Sequence, residues 1–191
     1  MKFNYQYEKS FSYTEYRQMM DDLLAEGKTT GGNQDDYMIE YTKLNQKRMQ
    51  RIEKTVKILP ELEERIKKVK PQTWLILTEA WCGDAAQNLP IIDALSKHNH
   101  NIKVELILRD ENLEIMDQFL TNGGRSIPKV IAIDSENEIL FTWGPRPKEA
   151  QQLFLESKAS GKSHDEFATE LHGWYARDKG ISIQKEFYAL L

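Results

Sequence analysis

The pattern of apolar positions changes character near residue 71. Before it, apolar side chains recur at helical spacing. Tyr16, Met19, Met20, Leu23 and Leu24 follow Ser12, Glu15 completes a capping box with that serine, and Gly27 ends the run. A glycine- and threonine-rich loop over 29–33 separates this from a second helix predicted over 35–59, with Tyr37, Tyr41, Leu44, Ile52, Thr55, Val56 and Leu59 on one face. Pro60 opens and Pro71 closes a short charged helix over 61–70, whose Glu/Lys pairs three and four apart read as a solvated face. The first seventy residues therefore read as helical.

Beyond Pro71, short continuous apolar runs alternate with helical patterns. Residues 73–78 and 102–108 read as strands buried on both faces, and 129–133 and 139–143 as a hairpin around a polar turn at 135–138. A helix over 85–97 puts Leu89, Ile92 and Leu95 inward, with Pro90 a point for a kink. Asp110 can cap a helix over Leu113, Met116, Phe119 and Leu120. Pro147 opens a helix over Ala150, Leu153 and Phe154. Ser163 and Glu166 form a second capping box for one through Phe167, Leu171 and Trp174, and a last piece covers 184–190. The order β-α-β-α-β-β-α predicts an α/β domain over 71–158 with a four-stranded mixed sheet flanked by helices. Crossovers imply parallel pairs and the hairpin an antiparallel one. Helical extensions over 1–70 and 159–191 complete the organisation.

A chain of 191 residues with 40% hydrophobic side chains has enough apolar material for one or two packed domains. Its net charge of −4 argues against nucleic acid or an anionic membrane surface as the main partner. No apolar run approaches the ~20 residues of a membrane-spanning helix, and the N-terminal residues lack the apolar core of a secretory signal, so a soluble cytoplasmic protein is expected.

There is a single cysteine, Cys82, which excludes an internal disulfide and a cysteine-built zinc site. It follows the first buried strand and opens a helix: Trp81-Cys82-Gly83-Asp84-Ala85. There, unpaired backbone N–H groups and the helix dipole favour a thiolate, the reactive form of cysteine. Elsewhere a lone cysteine is a small buried apolar side chain.

This segment resembles the thioredoxin family. Trp81-Cys82-Gly83 after an apolar strand matches the start of that family's Trp-Cys-Gly-Pro-Cys signature, and Arg125-Ser126-Ile127-Pro128 matches its Ile-Pro loop. Residues 135–138 and Gly144 fall where that fold has its hairpin turn and a glycine beside the substrate groove. The Trp-Cys-Gly-Asp variant is similar to a bacterial branch that carries a helical N-terminal extension. The resemblance covers about residues 71–158 and implies a thioredoxin-like fold, a cis Ile127–Pro128 bond facing Cys82, and thiol–disulfide chemistry. It also implies a substrate shelf at Trp81, Gly83, Asp84, Ile127 and Pro128, with Trp81, Ile127 and Trp143 an exposed apolar rim and Arg125 a candidate anion contact.

The departures alter the expected chemistry. Ala85 stands where the family has its second cysteine, so a dithiol cycle cannot run within one chain. Asp84 replaces the family's proline, and Ile76 takes the place of its buried aspartate. Glu79 is the nearest other carboxylate, at a strand end that can point it away. A helix N-terminus helps a negative charge by ~0.3–1 kcal/mol, up to about 2 when partly buried. Asp84 at roughly 7 Å opposes it by about 0.6 kcal/mol in water and about 2.4 at an effective dielectric near 20. The two effects are comparable, and the thiol's ionisation stays open.

Other motifs carry nothing. The Gly-Lys-Thr at 27–29 and Gly-Lys-Ser at 161–163 lack the earlier glycine and the preceding strand of a phosphate loop. His98 and His100 fit a polar loop better than a metal, and His164 and His172 are eight apart, not three or four. No metal site is expected. The leading expectation is a one-cysteine oxidoreductase with Cys82 as nucleophile and no tightly bound cofactor. Its partners would be protein or peptide thiols or disulfides, or glutathione or another small thiol as co-substrate. The competing expectation is a redox-inert thioredoxin-fold protein or peptide-binding module, in which the same shelf docks a peptide and Cys82 does no chemistry. Oligomeric state is open.

Overall fold

The computed structural model describes residues 1–191, the side chain at position 164 excepted. Four strands, β1 (Gln72–Thr78), β2 (Ile102–Leu108), β3 (Lys129–Asp134) and β4 (Ile139–Trp143), form one mixed sheet in the order β2-β1-β3-β4. β1 and β3 are buried almost throughout, as their uninterrupted apolar runs require.

β1 pairs in parallel with β2 and antiparallel with β3, and β3 pairs antiparallel with β4. The second crossover therefore yields no parallel pair, against expectation. Residues 109–128 hold only a 3₁₀ turn (Arg109–Glu111) and a four-residue helix, α5 (Leu113–Met116). At 1.5 Å per residue such a helix advances ~6 Å, whereas a seven-residue strand is ~23 Å long. The chain stays at the end of the sheet where β2 stops, and Lys129 pairs with Leu77 near the end of β1. The turn that follows β1 and the loop before β3 are thereby brought to one place. Leu120, expected inside a longer helix here, is 42% exposed.

The first eleven residues are extended rather than helical. The Phe3 N–H donates to Asn137 O at 2.7 Å and Ile139 N–H donates to Met1 O at 2.9 Å, beside the start of β4. Phe11 and Leu106 exchange both backbone bonds at 2.8 Å on the free edge of β2. The segment satisfies edge groups that would otherwise invite pairing with another chain. From Ser12 the expected capping box forms and starts α1 (Tyr13–Ala25).

α2 (Asp36–Thr55) buries Thr42, Asn45, Met49 and Ile52, while Tyr37 and Leu44 are 56% and 44% exposed. The inward face is rotated from the one the apolar residues suggest because polar bonds fix it. Asn45 Nδ2 donates to Ala80 O at 3.0 Å, and the Thr42 and Thr29 hydroxyls lie 2.6 Å apart. The helix ends at Thr55, where Val56 turns extended, and the chain then enters α3 (Pro60–Ile66) with Leu62 and Ile66 buried. α4 (Gly83–Ser96) is buried around most of its circumference, the polar Asp84, Gln87 and Asn88 included, and packs against the sheet and α2.

After β4 come α6 (Lys148–Ala159), α7 (His164–Asp178, with its capping box) and α8 (Ile181–Leu190). Phe187 of α8 packs on Trp74, Phe141 and Trp143 at ring distances of 5.2, 6.0 and 5.6 Å. Ala150, Leu171 and Tyr175 form a smaller apolar cluster between α6 and α7. Among the described residues, no helix is long and apolar enough to cross a membrane.

Candidate functional site

Cys82 is the N-cap of α4, and its sulfur accepts from the Ala85 N–H at 3.4 Å. The thiol donates to the Ile127 carbonyl at 3.2 Å, so the sulfur lies against the Ile127–Pro128 turn, whose peptide bond is cis. Gly144–Pro145 is a second cis bond, which the sequence reading did not anticipate. Gly144 has φ +116° and packs so closely on the Pro128 carbonyl that a Cβ would overlap it.

The thiol is 7% exposed, and burial pushes its pKa from 9.0 up to about 12, with the Asp84 charge adding to the rise. The Ala85 N–H and Arg146 pull the other way without reversing it. The contest between helix N-terminus and Asp84 is thus decided by desolvation, which neither local effect includes.

Asp84 is not a free charge beside the thiol. Arg146 grips its Oδ2 through Nε at 2.9 Å and Nη2 at 2.5 Å, and the Tyr175 hydroxyl donates to Oδ1 at 2.6 Å. Asn88 ties the same network together, reaching Asp84 O at 2.8 Å and Tyr175 Oη at 3.0 Å. The guanidinium lies 4.8 Å from the Phe154 ring and 5.9 Å from that of Phe167. Burial and Asp84 hold the Tyr175 phenol far above its ordinary pKa, hence neutral.

Beside Cys82 lies a cavity of about 350 Å³, lined by Trp81, Cys82, Gly83 and Asp84 from the start of α4, Tyr37 and Tyr41 from α2, and Arg146, Phe154, Phe167 and His172 from the C-terminal region. His172 Nε2 is 2.8 Å from Tyr41 Oη and its Nδ1 3.2 Å from Gln87 Nε2. Burial, with Arg48 and Arg51 nearby, pushes the His172 pKa down to about 3, so the ring is neutral. Gly83 leaves the room: a Cβ there would come within 2.9 Å of Tyr41 Oη and 3.1 Å of His172 Cε1.

Four residues expected at the site, Trp81, Cys82, Gly83 and Asp84, share this cavity. The others do not line it. Ile127 is 5% exposed and meets the sulfur through its carbonyl, and Pro128 is buried. Trp143 is no exposed rim: its indole N–H donates to Glu186 at 2.6 Å beneath α8. Gly144 serves backbone packing. Arg125 is turned to Asp117, which it grips at 2.6 and 2.8 Å. Glu79 is buried, its Oε1 accepting from the Asp110 N–H at 2.9 Å, and burial raises its pKa. Trp81 is half-buried under the Arg109 guanidinium, 4.8 Å from the ring centre. Among the described residues no group of histidines, cysteines and carboxylates could hold a metal ion, and the side chain of His164 lies outside them.

Sequence reasoning missed Tyr41, Arg146 and His172. The helical spacing places Tyr37 and Tyr41 on one face of α2 and does not show that they line a cavity. Arg146 stands between two prolines with nothing to mark its partner, sixty-two residues away. His172 was weighed only as half of a ligand pair.

No curated protein sequence matches this chain. Among solved structures, an HIV epitope-scaffold is 18% identical, with 94% of this chain and 97% of that one covered and a TM-score of 0.58. A protein of unknown function from Pseudomonas aeruginosa is 20% identical, over 90% of this chain and 99% of that one, with a TM-score of 0.53. Both likenesses concern the fold. A family model described as thioredoxin matches residues 31–163, from the loop before α2 to the N-cap of α7, and on that match the chain belongs to the thioredoxin family.

Proposed function

We propose that this protein is a thioredoxin-fold binding module whose cavity at Cys82 holds a small, largely apolar, planar ligand, with the cysteine kept as a neutral thiol. The observation that carries this reading is the thiol's state: it is 7% exposed, donates to the Ile127 carbonyl and has its pKa pushed up to about 12. At neutral pH a thiolate is then a rare species, and the thiolate is the nucleophile. A small ligand fits better than an extended peptide, because the Ile127 carbonyl is already engaged by the sulfur and Pro128 has no N–H to offer. Tyr37, Tyr41, Trp81, Phe154 and Phe167 supply aromatic walls of the kind that hold planar molecules. With the Gln87 amide donating to His172 Nδ1, the ring proton sits on Nε2 and points at Tyr41 Oη. The Tyr41 O–H is then free to donate to a ligand acceptor.

One-cysteine redox chemistry is the second reading. It is favoured by the Ala85 N–H aimed at the sulfur, the sulfur's place in the cavity wall, and the Trp81-Cys82-Gly83-Asp84 signature of a bacterial branch of the family. In that reading the Cys82 thiolate attacks oxidised glutathione or a protein disulfide, its proton passing to solvent. The attacked S–S bond breaks, one thiolate leaves, and a second external thiol releases the mixed disulfide.

Two measurements separate the readings. Under the binding reading, iodoacetamide alkylates the folded protein at pH 8 roughly a thousandfold more slowly than free cysteine, with a rate still rising above pH 9. Intact mass after incubation with oxidised glutathione shows no adduct on the folded chain and one on the unfolded chain. Rapid alkylation that levels off below pH 8, together with a folded-state adduct, overturns the binding reading in favour of the redox one.

A further inference from the structure

A second hollow lies on the far side of the Gln87–Tyr175 wall, between the end of α2, α4 and the α7–α8 turn. Its volume is about 570 Å³, within the range of ~300–1,000 Å³ usual for small-molecule sites. The floor is aliphatic, formed by Ile52, Val56, Ile91 and Ile181, and no carboxylate lines it. Arg51, Lys57 and Lys179 stand around the opening, all exposed, and none has an ion pair or side-chain hydrogen bond among the described residues. The positive field is wider than these three. Arg48, one turn before Arg51 on α2, adds to it, and the nearby Glu53 is already bonded to Arg17 and Tyr13. On a chain of net charge −4, the rim of this hollow has the opposite sign.

We infer that this hollow is a binding site for an anionic amphiphile: a carboxylate on an aliphatic chain, the chain lying on the isoleucine floor and the head meeting Arg51, Lys57 and Lys179. The shape selects against a macromolecule, since the cations ring a concavity rather than a flat stripe. The α7–α8 turn closes one wall. Gly180 has φ +78° and lies so near Ile91 that a Cβ would overlap the Ile91 side chain, which seats the turn hard on α4. The proposal is independent of the Cys82 cavity.

Titration calorimetry of the full chain with decanoate, and with decan-1-ol as the neutral control, tests it. The expected result is one saturable site that prefers decanoate by about tenfold or more, with affinity falling as salt rises from 50 to 500 mM. The double variant R51A/K179A should bind decanoate about tenfold more weakly. Thr55→Trp, placing a ring at an exposed position of the wall, should abolish binding while circular dichroism stays unchanged, and Cys82→Ser should leave it intact. Equal affinity for the alcohol, undiminished binding by R51A/K179A or Thr55→Trp, loss of binding in Cys82→Ser, or no saturable binding would each overturn the inference.

Discussion

In the cavity at Cys82 the charges are matched or suppressed, whereas around the α2–α8 hollow they are left open to water. Asp84 and Arg146 are both close to fully enclosed, with side-chain exposures of 8% and 12%, and they meet in a two-pronged ion pair. His172 is held neutral and Cys82 protonated. Beyond Gln87 and Tyr175, Arg51, Lys57 and Lys179 have no carboxylate partner among the described residues. The difference follows from solvation. A buried charge must be compensated, because its desolvation costs several kcal/mol, while an exposed lysine or arginine keeps its hydration and needs no partner. Residues of one chemical type therefore carry structure on one side of Tyr175 and remain available for recognition on the other.

The largest effect that would break this contrast is at Arg146. Arg146→Ala leaves Asp84 buried with only the Tyr175 hydroxyl, and the expected loss is ~3–5 kcal/mol of unfolding free energy in urea titrations. The double variant D84N/R146A should recover a large part of that loss, since it removes the stranded charge as well as its partner. If Arg146→Ala alone costs under about 1 kcal/mol, the pair is not the enclosed one described here.

Next in size is a pH effect at His172. Its folded pKa, about 3, lies below the unfolded value of 6.5, so its contribution to stability is complete above pH 6.5 and is lost as pH falls toward 3. By pH 4 the loss from this one ring reaches up to about 3 kcal/mol. Carboxylates also titrate in this window, so the informative quantity is a difference: His172→Gln should show a shallower decline of stability between pH 6.5 and 4 than the parent chain. Cys82 acts at the other end of the scale. Its folded pKa is raised, so its contribution is present below pH 9 and fades from pH 9 toward 12.

These two cavities also mark where the sequence could be read and where it could not. The strands and the two capping boxes at Ser12 and Ser163 rest on local patterns, which a linear reading can follow, whereas the meeting of Cys82 with Ile127–Pro128 was legible only through the family resemblance. The family signature that ordered them spans the β1–α4 turn and the β3 loop. The direction of β3 escaped because it depends on how little helix residues 109–128 contain, not on the strand's own composition. The face of α2 escaped because Thr42 and Asn45 orient it through hydrogen bonds, while Tyr37 and Tyr41, grouped with Ile52 on one face, line the cavity. The state of the thiol escaped for a related reason. Burial is a property of the whole packing, and it outweighs the dipole and charge effects that adjacent residues make visible.

The smallest effects belong to the open cations and sharpen the contrast from its other side. Arg51→Ala should change stability by no more than about 0.5 kcal/mol, a small fraction of the Arg146 loss, although both remove a guanidinium. Lys179 adds a change of opposite sign. It caps α7 in the left-handed region, with φ +54° and ψ +27°, a conformation that costs a residue with a Cβ on the order of 1 kcal/mol and glycine almost nothing. Glycine is more flexible in the unfolded chain, which returns part of that gain. Lys179→Gly should therefore raise the thermal midpoint slightly, by ~0.3–0.7 kcal/mol of stability, even as it removes one cation from the hollow. A clear loss of stability in Lys179→Gly would mean that the lysine side chain holds the α7–α8 turn together, and the cation could no longer be counted as free for a ligand.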